Sequence, residues 1–173
     1  MTEDRNASPE LKQTPEEALA DYWDTVDLDD HAGAVTRLQE LVTTLDLDES
    51  IAHFEMGSVY DSVGDEQAAV VEYEAARASG LTGSRRSQLD IQYASTLRNL
   101  GRLDEAVDVL RAAVPDPSTG DARTVFLALA LHDSGRSAEA LKLTIDALTP
   151  YLPRYRQSVA AYARALLDPP TDA

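Results

Sequence analysis

The stretch Ser95-Thr96-Leu97-Arg98-Asn99-Leu100-Gly101-Arg102-Leu103-Asp104-Glu105-Ala106 joins a helix-like run, a glycine, a short turn and the start of a second helix. Its skeleton is a small residue, a glycine seven positions later and an alanine five positions after that. Three copies occur along the chain: Gly57, Gly64, Ala69; Ala94, Gly101, Ala106; and Ala128, Gly135, Ala140. Glycine readily ends a helix because it accepts the left-handed backbone conformation. The recurrence predicts three helix-turn-helix units.

Alignment of the copies on their glycines gives columns of similar chemistry. Large residues stand four positions before the glycine and alanines stand twelve positions after it: Tyr60, Leu97, Leu131; and Ala76, Ala113, Ala147. Small residues let two helix backbones approach closely, and large ones fill the remaining space. We therefore expect Tyr60, Tyr73 and Tyr93 to be core residues rather than a ligand platform.

The composition favours an all-α fold. Of the 173 residues, 43% are hydrophobic and only 6% are aromatic, and the apolar content depends on Ala, Leu and Val. That mixture favours helix over strand and is rich enough to build a core.

The net charge of -16 argues against nucleic acid and anionic membranes as ligands, since both require a basic surface. Acidic residues are concentrated at the front, where residues 1–49 carry 14 Asp and Glu but only 3 Lys and Arg. Two interpretations of this acidic front stay open. It is either a solvated face that maintains solubility, or an arm that binds a basic partner or covers the protein's own groove.

Several classes of chemistry lack their signatures in this sequence. There is no cysteine, which removes disulfides and zinc–thiolate sites, and we find no phosphate loop or hydrolase motif. His132 and Asp133 are adjacent and point in different directions on a helix, while His31 and His53 complete no ligand set. We therefore predict no enzyme, no metal and no cofactor. The first residues lack the pattern of a signal peptide and no run is long enough to span a membrane, so we expect a cytoplasmic protein.

Helix signals divide the chain further. Thr14 caps a helix that begins at Pro15, a second helix runs from about His31 to Leu45, and Ser50 is expected to cap a third. A last helix is predicted at about 154–167, and its apolar face consists of Tyr155, Val159, Tyr162 and Leu166. The predicted organisation is an arm at 1–13, one array at 14–168 and a tail at 169–173. Within the array we expect units at about 15–48, 50–83, 87–120 and 121–154, with a cap at 154–168.

These repeats resemble the tetratricopeptide repeat superfamily, whose units pair two antiparallel helices. The resemblance covers roughly residues 15–154. The strings at 95–102 and 127–136 are more narrowly similar to a small stand-alone bacterial group, often called group 5. The resemblance implies an α-solenoid of about four helical hairpins with a capping helix, and it carries no catalytic residue.

The resemblance also implies a concave groove lined by the first helix of each unit. The groove would bind a peptide or helix segment of a partner protein. The implied groove residues are Phe54, Ser58, Asp61, Ser62, Ile91, Ser95, Arg98, Asn99, Val125, Leu129, His132 and Asp133.

Two residues leave alternatives open. The Arg98 guanidinium and Asn99 could hold a partner's carboxylate or backbone, with Phe54 and Ile91 taking an apolar side chain. Alternatively, Arg98 forms an internal network with Asp61 and Asp133. Trp23 stands at a repeat position that would face the groove, in the first unit, where the resemblance to the family is weaker. We favour its burial against the N-terminal arm over ligand binding. For the whole chain, the alternative to peptide binding is self-association as a homodimer through an end of the stack or the last helix.

Overall fold

A computed structural model describes residues 13–168. The chain divides into two compact units, and the boundary between them falls between Leu47 and Asp48. The described residues contain helices and turns but no strand, so the predicted all-α class is confirmed. The predicted arm, apart from Gln13, and the predicted tail at 169–173 lie outside the described residues.

The first unit is a helical hairpin of α1 (Pro15–Thr25) and α2 (His31–Leu45). Thr14 and Glu17 form a reciprocal capping box at the start of α1, as the sequence predicts for Thr14. The buried Tyr22 hydroxyl donates a hydrogen bond to the carbonyl of Ala34, 2.9 Å away, and ties the two helices together. Trp23 is half-buried, with its ring edge-on to Tyr22 at 5.1 Å.

The second unit holds three further hairpins and one last helix. Its helices are α3 (Glu49–Ser62), α4 (Glu66–Ala78), α5 (Gly83–Asn99), α6 (Leu103–Ala112), α7 (Ala122–Asp133), α8 (Ser137–Leu148) and α9 (Arg156–Ala165). A 3₁₀ turn at Thr149–Tyr151 precedes α9. Each helix packs against the next one along the chain.

The glycine on which the repeat at residues 95–106 is aligned has the backbone conformation that the sequence predicts. Gly101 has a φ of +75°, which non-glycine residues rarely adopt. The amide of Arg102 then reaches back to the carbonyl of Leu97 at 2.9 Å and satisfies one of the last carbonyls of α5. This is the Schellman arrangement that ends a helix and turns the chain into the next one.

The core of the second unit follows the predicted columns. The alanines that stand five positions after each glycine are buried, as are the large residues Leu97 and Leu131. Tyr73 and Tyr93 are buried within the same core, and Tyr60 is half-buried against it. Their assignment to the core is confirmed.

One local prediction is wrong. Ser50 lies in the first turn of α3, and the N-cap is Asp48, whose Oδ1 accepts from the Ser50 amide at 2.9 Å.

The apolar face predicted for the last helix is only partly buried. Val159 and Leu166 are half-buried, whereas Tyr155 and Tyr162 are about three-quarters exposed. Ala163 is fully buried, and its small side chain allows a close approach to the neighbouring helix.

The first helices of the three hairpins lie on the inner side of the second unit. Helix α5 approaches both α3 and α7 directly, whereas α4, α6 and α8 show no comparable approach within residues 48–168. A stack whose first helices are closer together is concave on that side. This places the first-helix residues along a shared inner face.

A substitution at Gly57 tests the close approach of α3 to α4. A Cβ atom at Gly57 would lie 2.5 Å from Cδ1 of Tyr73, whose side chain is fully buried and has no room to move. We expect Gly57→Ala to lower the free energy of unfolding, because overpacking costs about 1–3 kcal/mol and exceeds the ~1 kcal/mol gain in helix propensity. Urea denaturation measures the change.

Ser62→Ala, at an exposed position of the same helix, is the matched control and should change stability little. An unchanged or raised stability of Gly57→Ala would contradict the prediction, since it would mean that α3 and α4 can separate without cost.

Candidate functional site

The inner face of the second unit divides into a satisfied half and an open half. The satisfied half lies between α3 and α5, where side chains are buried or hydrogen-bonded to one another. The open half lies between α5 and α7, where several of the predicted groove residues stay exposed.

Phe54 and Ile91 belong to the hydrophobic core. They are 4% and 7% exposed and form part of one contiguous apolar cluster. They therefore support the floor of the inner face and offer little surface to a ligand. The expectation that these two residues take an apolar side chain of a partner does not fit this burial.

Ser58 is buried and joins a polar cluster between α3 and α5. Its hydroxyl lies 3.1 Å from Gln92 Oε1, which also accepts from the Tyr73 hydroxyl at 3.3 Å. Ser62, one turn further along α3, is exposed and donates to the carbonyl of Ser58 at 2.8 Å. Burial raises the pKa of Tyr73 far above its usual value, so its hydroxyl stays a donor.

Asp61 is held by Thr96 rather than by arginine. The Thr96 hydroxyl lies 2.8 Å from Asp61 Oδ1, and Thr96 is fully buried between α3 and α5. Burial raises the pKa of Asp61, while the hydrogen bond from Thr96 acts in the opposite direction. Asp61 makes no ion pair with Arg98 among the described residues, so this part of the internal network, one of the two alternatives for Arg98, is not found.

Arg98 makes an ion pair with Asp133, which is the other half of the predicted internal network. Nε of Arg98 lies 2.6 Å from Asp133 Oδ2 and links α5 to α7. The N–H does not point at that oxygen, so Nε is buried without a hydrogen bond. The two terminal amino groups of the guanidinium have no hydrogen-bond partner among residues 13–168. About 28% of the Arg98 side chain is exposed, so this end of it reaches solvent.

Exposed apolar residues lie beside Arg98. Val125 and Leu129 are 52% and 40% exposed, and they precede Asp133 by two turns and one turn of α7. Residues four apart share a helix face, so all three follow one ridge. Ser95 is half-buried and Asn99 exposed on α5, and neither makes a side-chain hydrogen bond with another described residue. The open half thus combines a cation, uncharged polar groups and an apolar ridge.

His132 does not contribute to a metal site. It is exposed, and its Nδ1 lies 3.0 Å from the Ser137 hydroxyl at the start of the next helix. Across residues 13–168, no three potential ligands are close enough to hold a metal ion. In the same range, no helix is both long and apolar enough to cross a bilayer.

Gln92 and Thr96 are inner-face residues that the sequence prediction missed. They bond to α3 and fix the polar half of the groove. Neither position is among those that the resemblance assigns to the groove. A signal was available, because Gln92 and Thr96 directly precede Tyr93 and Leu97, two residues expected in the core, and a polar side chain beside the core needs a hydrogen-bond partner.

A family model described as "Tetratrico peptide repeat" matches residues 50–166. The chain belongs to the tetratricopeptide repeat family. This confirms the resemblance drawn from the spaced glycines and alanines. Tetratricopeptide repeat proteins generally mediate protein–protein interactions and are typically not enzymes. No curated protein sequence and no solved structure matches the chain.

The contribution of Asp61 to folding stability depends on pH, which allows a test of the satisfied half of the inner face. Because its pKa is raised on folding, the folded state holds this proton more tightly than the unfolded state does. The stability contributed by Asp61 therefore falls as the pH rises above the ordinary pKa of 3.8. Asp61→Asn keeps an acceptor for Thr96 without the buried charge.

We expect Asp61→Asn to be more stable than the wild type at about pH 7, with the advantage vanishing near about pH 4. Urea midpoints across that range measure the difference. Asp108→Asn removes an exposed carboxylate and should show no such trend. A destabilised Asp61→Asn at neutral pH would mean that the ionised carboxylate is required for folding.

Proposed function

We propose that this tetratricopeptide repeat protein binds a segment of a partner protein on the inner face between α5 and α7. The observation that carries the proposal is the Arg98 guanidinium, which is tethered at Nε and open at its terminal amino groups. An arginine held by one edge keeps its other edge in position for a ligand.

The chemistry of the surface suggests the kind of segment. Arginine recognises carboxylates through two parallel hydrogen bonds, and the Asn99 amide can add a bond to a peptide group. Val125 and Leu129 offer an apolar ridge that a ligand could cover. We therefore propose an extended or helical segment that presents a carboxylate beside an apolar side chain.

Arg98→Glu tests this proposal directly. Peptides selected from a random display library on the wild-type protein are measured by isothermal titration. A charge-assisted hydrogen bond contributes about 1.5–3 kcal/mol, so we expect affinity to fall at least roughly tenfold. Leu129→Ser should also weaken binding.

Arg111→Glu is the matched control. Arg111 likewise pairs with an acidic residue of the next hairpin, since its Nη2 lies 3.2 Å from Glu139 Oε2, but it lies on the second helix of its hairpin. It should leave peptide affinity unchanged. If Arg98→Glu keeps wild-type affinity for every selected peptide, the inner face is not the binding surface.

A second candidate function is self-association as a homodimer. The exposed rings of Tyr162 on α9 and of Tyr155 at its N-cap favour it, because exposed apolar surface can mark an interface. Multi-angle light scattering distinguishes the two candidates. A dimer whose mass does not depend on concentration would support a structural, self-associating role, and a monomer at every concentration would exclude it.

A further inference from the structure

A cavity of about 530 Å³ lies beside the start of α5, within the second unit. It is bounded by the loop before α5, by the first turns of α5, and by the end of α6 with the loop that follows it. Sites for small molecules commonly have volumes of about 300–1,000 Å³ and combine apolar walls with a few polar groups. This cavity has both kinds of lining, with apolar residues Leu81, Val114 and Pro115 and charged residues Arg86, Asp90 and Asp116.

Arg86 lines this cavity with one edge of its guanidinium fixed. Its Nε lies 3.0 and 3.1 Å from the two carboxylate oxygens of Asp90, a residue that is only 4% exposed. Arg77 approaches the same carboxylate from α4, with its Nε 3.8 Å from Oδ1. The terminal amino groups of Arg86 have no hydrogen bond to any residue in the described part of the chain. The charge of Asp90 is therefore compensated, and these amino groups remain available to a ligand.

Asp116 lines the cavity from the loop after α6 and is also fixed by one atom. Its Oδ1 accepts from the amide and the hydroxyl of Ser118, at 2.9 and 2.6 Å. These hydrogen bonds lower the pKa of Asp116, so its carboxylate is ionised at neutral pH. Its Oδ2 accepts no hydrogen bond from another described residue. The buried Ser87 hydroxyl lies 3.1 Å from the Thr119 hydroxyl and links this loop to α5.

We propose that this cavity binds a small zwitterion of the amino-acid class, either a free amino acid or a dipeptide with an apolar side chain. The carboxylate of the ligand accepts from the terminal amino groups of Arg86, and its ammonium group donates to Oδ2 of Asp116. The apolar side chain of the ligand covers the wall that includes Val114, which is 76% exposed in the free protein.

The charges of the cavity favour a zwitterion over a simple anion or cation. An anion on Arg86 would face the ionised carboxylate of Asp116, and a cation on Asp116 would face the guanidinium of Arg86. Like charges at such short range disfavour binding, whereas a ligand that carries both groups pairs with both residues. Because each residue is already held by one atom, binding removes little side-chain entropy.

The first experiment is a titration of the isotope-labelled full chain with leucine and with leucyl-leucine, followed by NMR at the Ser87 and Ser118 amides. We expect at least one of the two to shift these amides with a dissociation constant of about 1 mM or below. The comparison of the two ligands distinguishes an amino-acid site from a dipeptide site. The N-acetylated and the C-amidated forms of the ligand that binds should each bind at least roughly tenfold more weakly, because each lacks one charge-assisted contact.

Two variants assign the charged contacts. Asp116→Asn keeps an acceptor for Ser118, and it should weaken the zwitterion at least roughly tenfold but leave the N-acetylated form unchanged. Arg86→Lys keeps a positive charge beside Asp90, and it should weaken the zwitterion but leave the C-amidated form unchanged. Asp104→Asn makes the same chemical change as Asp116→Asn at an exposed position of α6 and should bind like the wild type.

An absence of shifts at the two amides with about 10 mM of either zwitterion would overturn the proposal. A blocked form that binds as tightly as the zwitterion would also overturn it, as would an equal loss of both ligands in Asp116→Asn. The groove is tested separately, since Arg98→Glu should bind the zwitterion like the wild type. If Arg98→Glu abolished this binding, the ligand would lie in the groove and the cavity proposal would be wrong.

Discussion

The second unit depends on places where paired helix backbones come unusually close. At Gly57 the approach is so tight that the ring of Tyr73 occupies the volume of a missing Cβ atom. Ala94, in the corresponding position of the next hairpin, is almost fully buried. Close approach lets each hairpin bury large side chains on two sides, because the next hairpin can then pack against the same core. A larger residue in this column would separate the helices and expose the layer beneath.

Much of this arrangement could be predicted from the sequence, because it depends on local rules that repeat. The glycines mark the ends of helices through a backbone conformation that few other residues accept, and Gly101 adopts it. Small residues at a fixed distance from that mark indicate which side of each helix meets its partner. The cap at Thr14 is equally local and was predicted for the same reason.

The errors arise where a residue's role depends on how far two helices have turned relative to each other. Phe54 and Ile91 fall in columns that face the groove in the family, but here they lie deep enough to join the core. Helix α9 shows the opposite effect. Tyr155 and Tyr162 belong to the apolar face predicted from the sequence, yet the helix buries Ala163 and leaves both rings exposed. Periodicity identifies a face, but the depth at which that face lies is set by neighbouring side chains.

Polar residues fix the register between successive first helices. Asp61 meets Thr96 and Arg98 meets Asp133, so each link joins residues one repeat apart. The first link is buried and directional, and a mismatched register would leave a polar group unsatisfied. The second is partly exposed and lacks hydrogen-bond alignment. The two links therefore differ in how strongly the fold depends on them.

That difference bears on the partner-binding role that we propose for Arg98. An ion pair between partly exposed side chains contributes only about 0–1 kcal/mol, so its loss on binding would cost little. Until then, Asp133 holds the guanidinium over the ridge formed by Val125 and Leu129 and reduces the entropy that binding must remove. A partner carboxylate that approaches the terminal amino groups of Arg98 would add to this pair rather than replace it, because no hydrogen bond joins those groups to another described residue. The same residue can thus link α5 to α7 and present a preformed cation to a ligand.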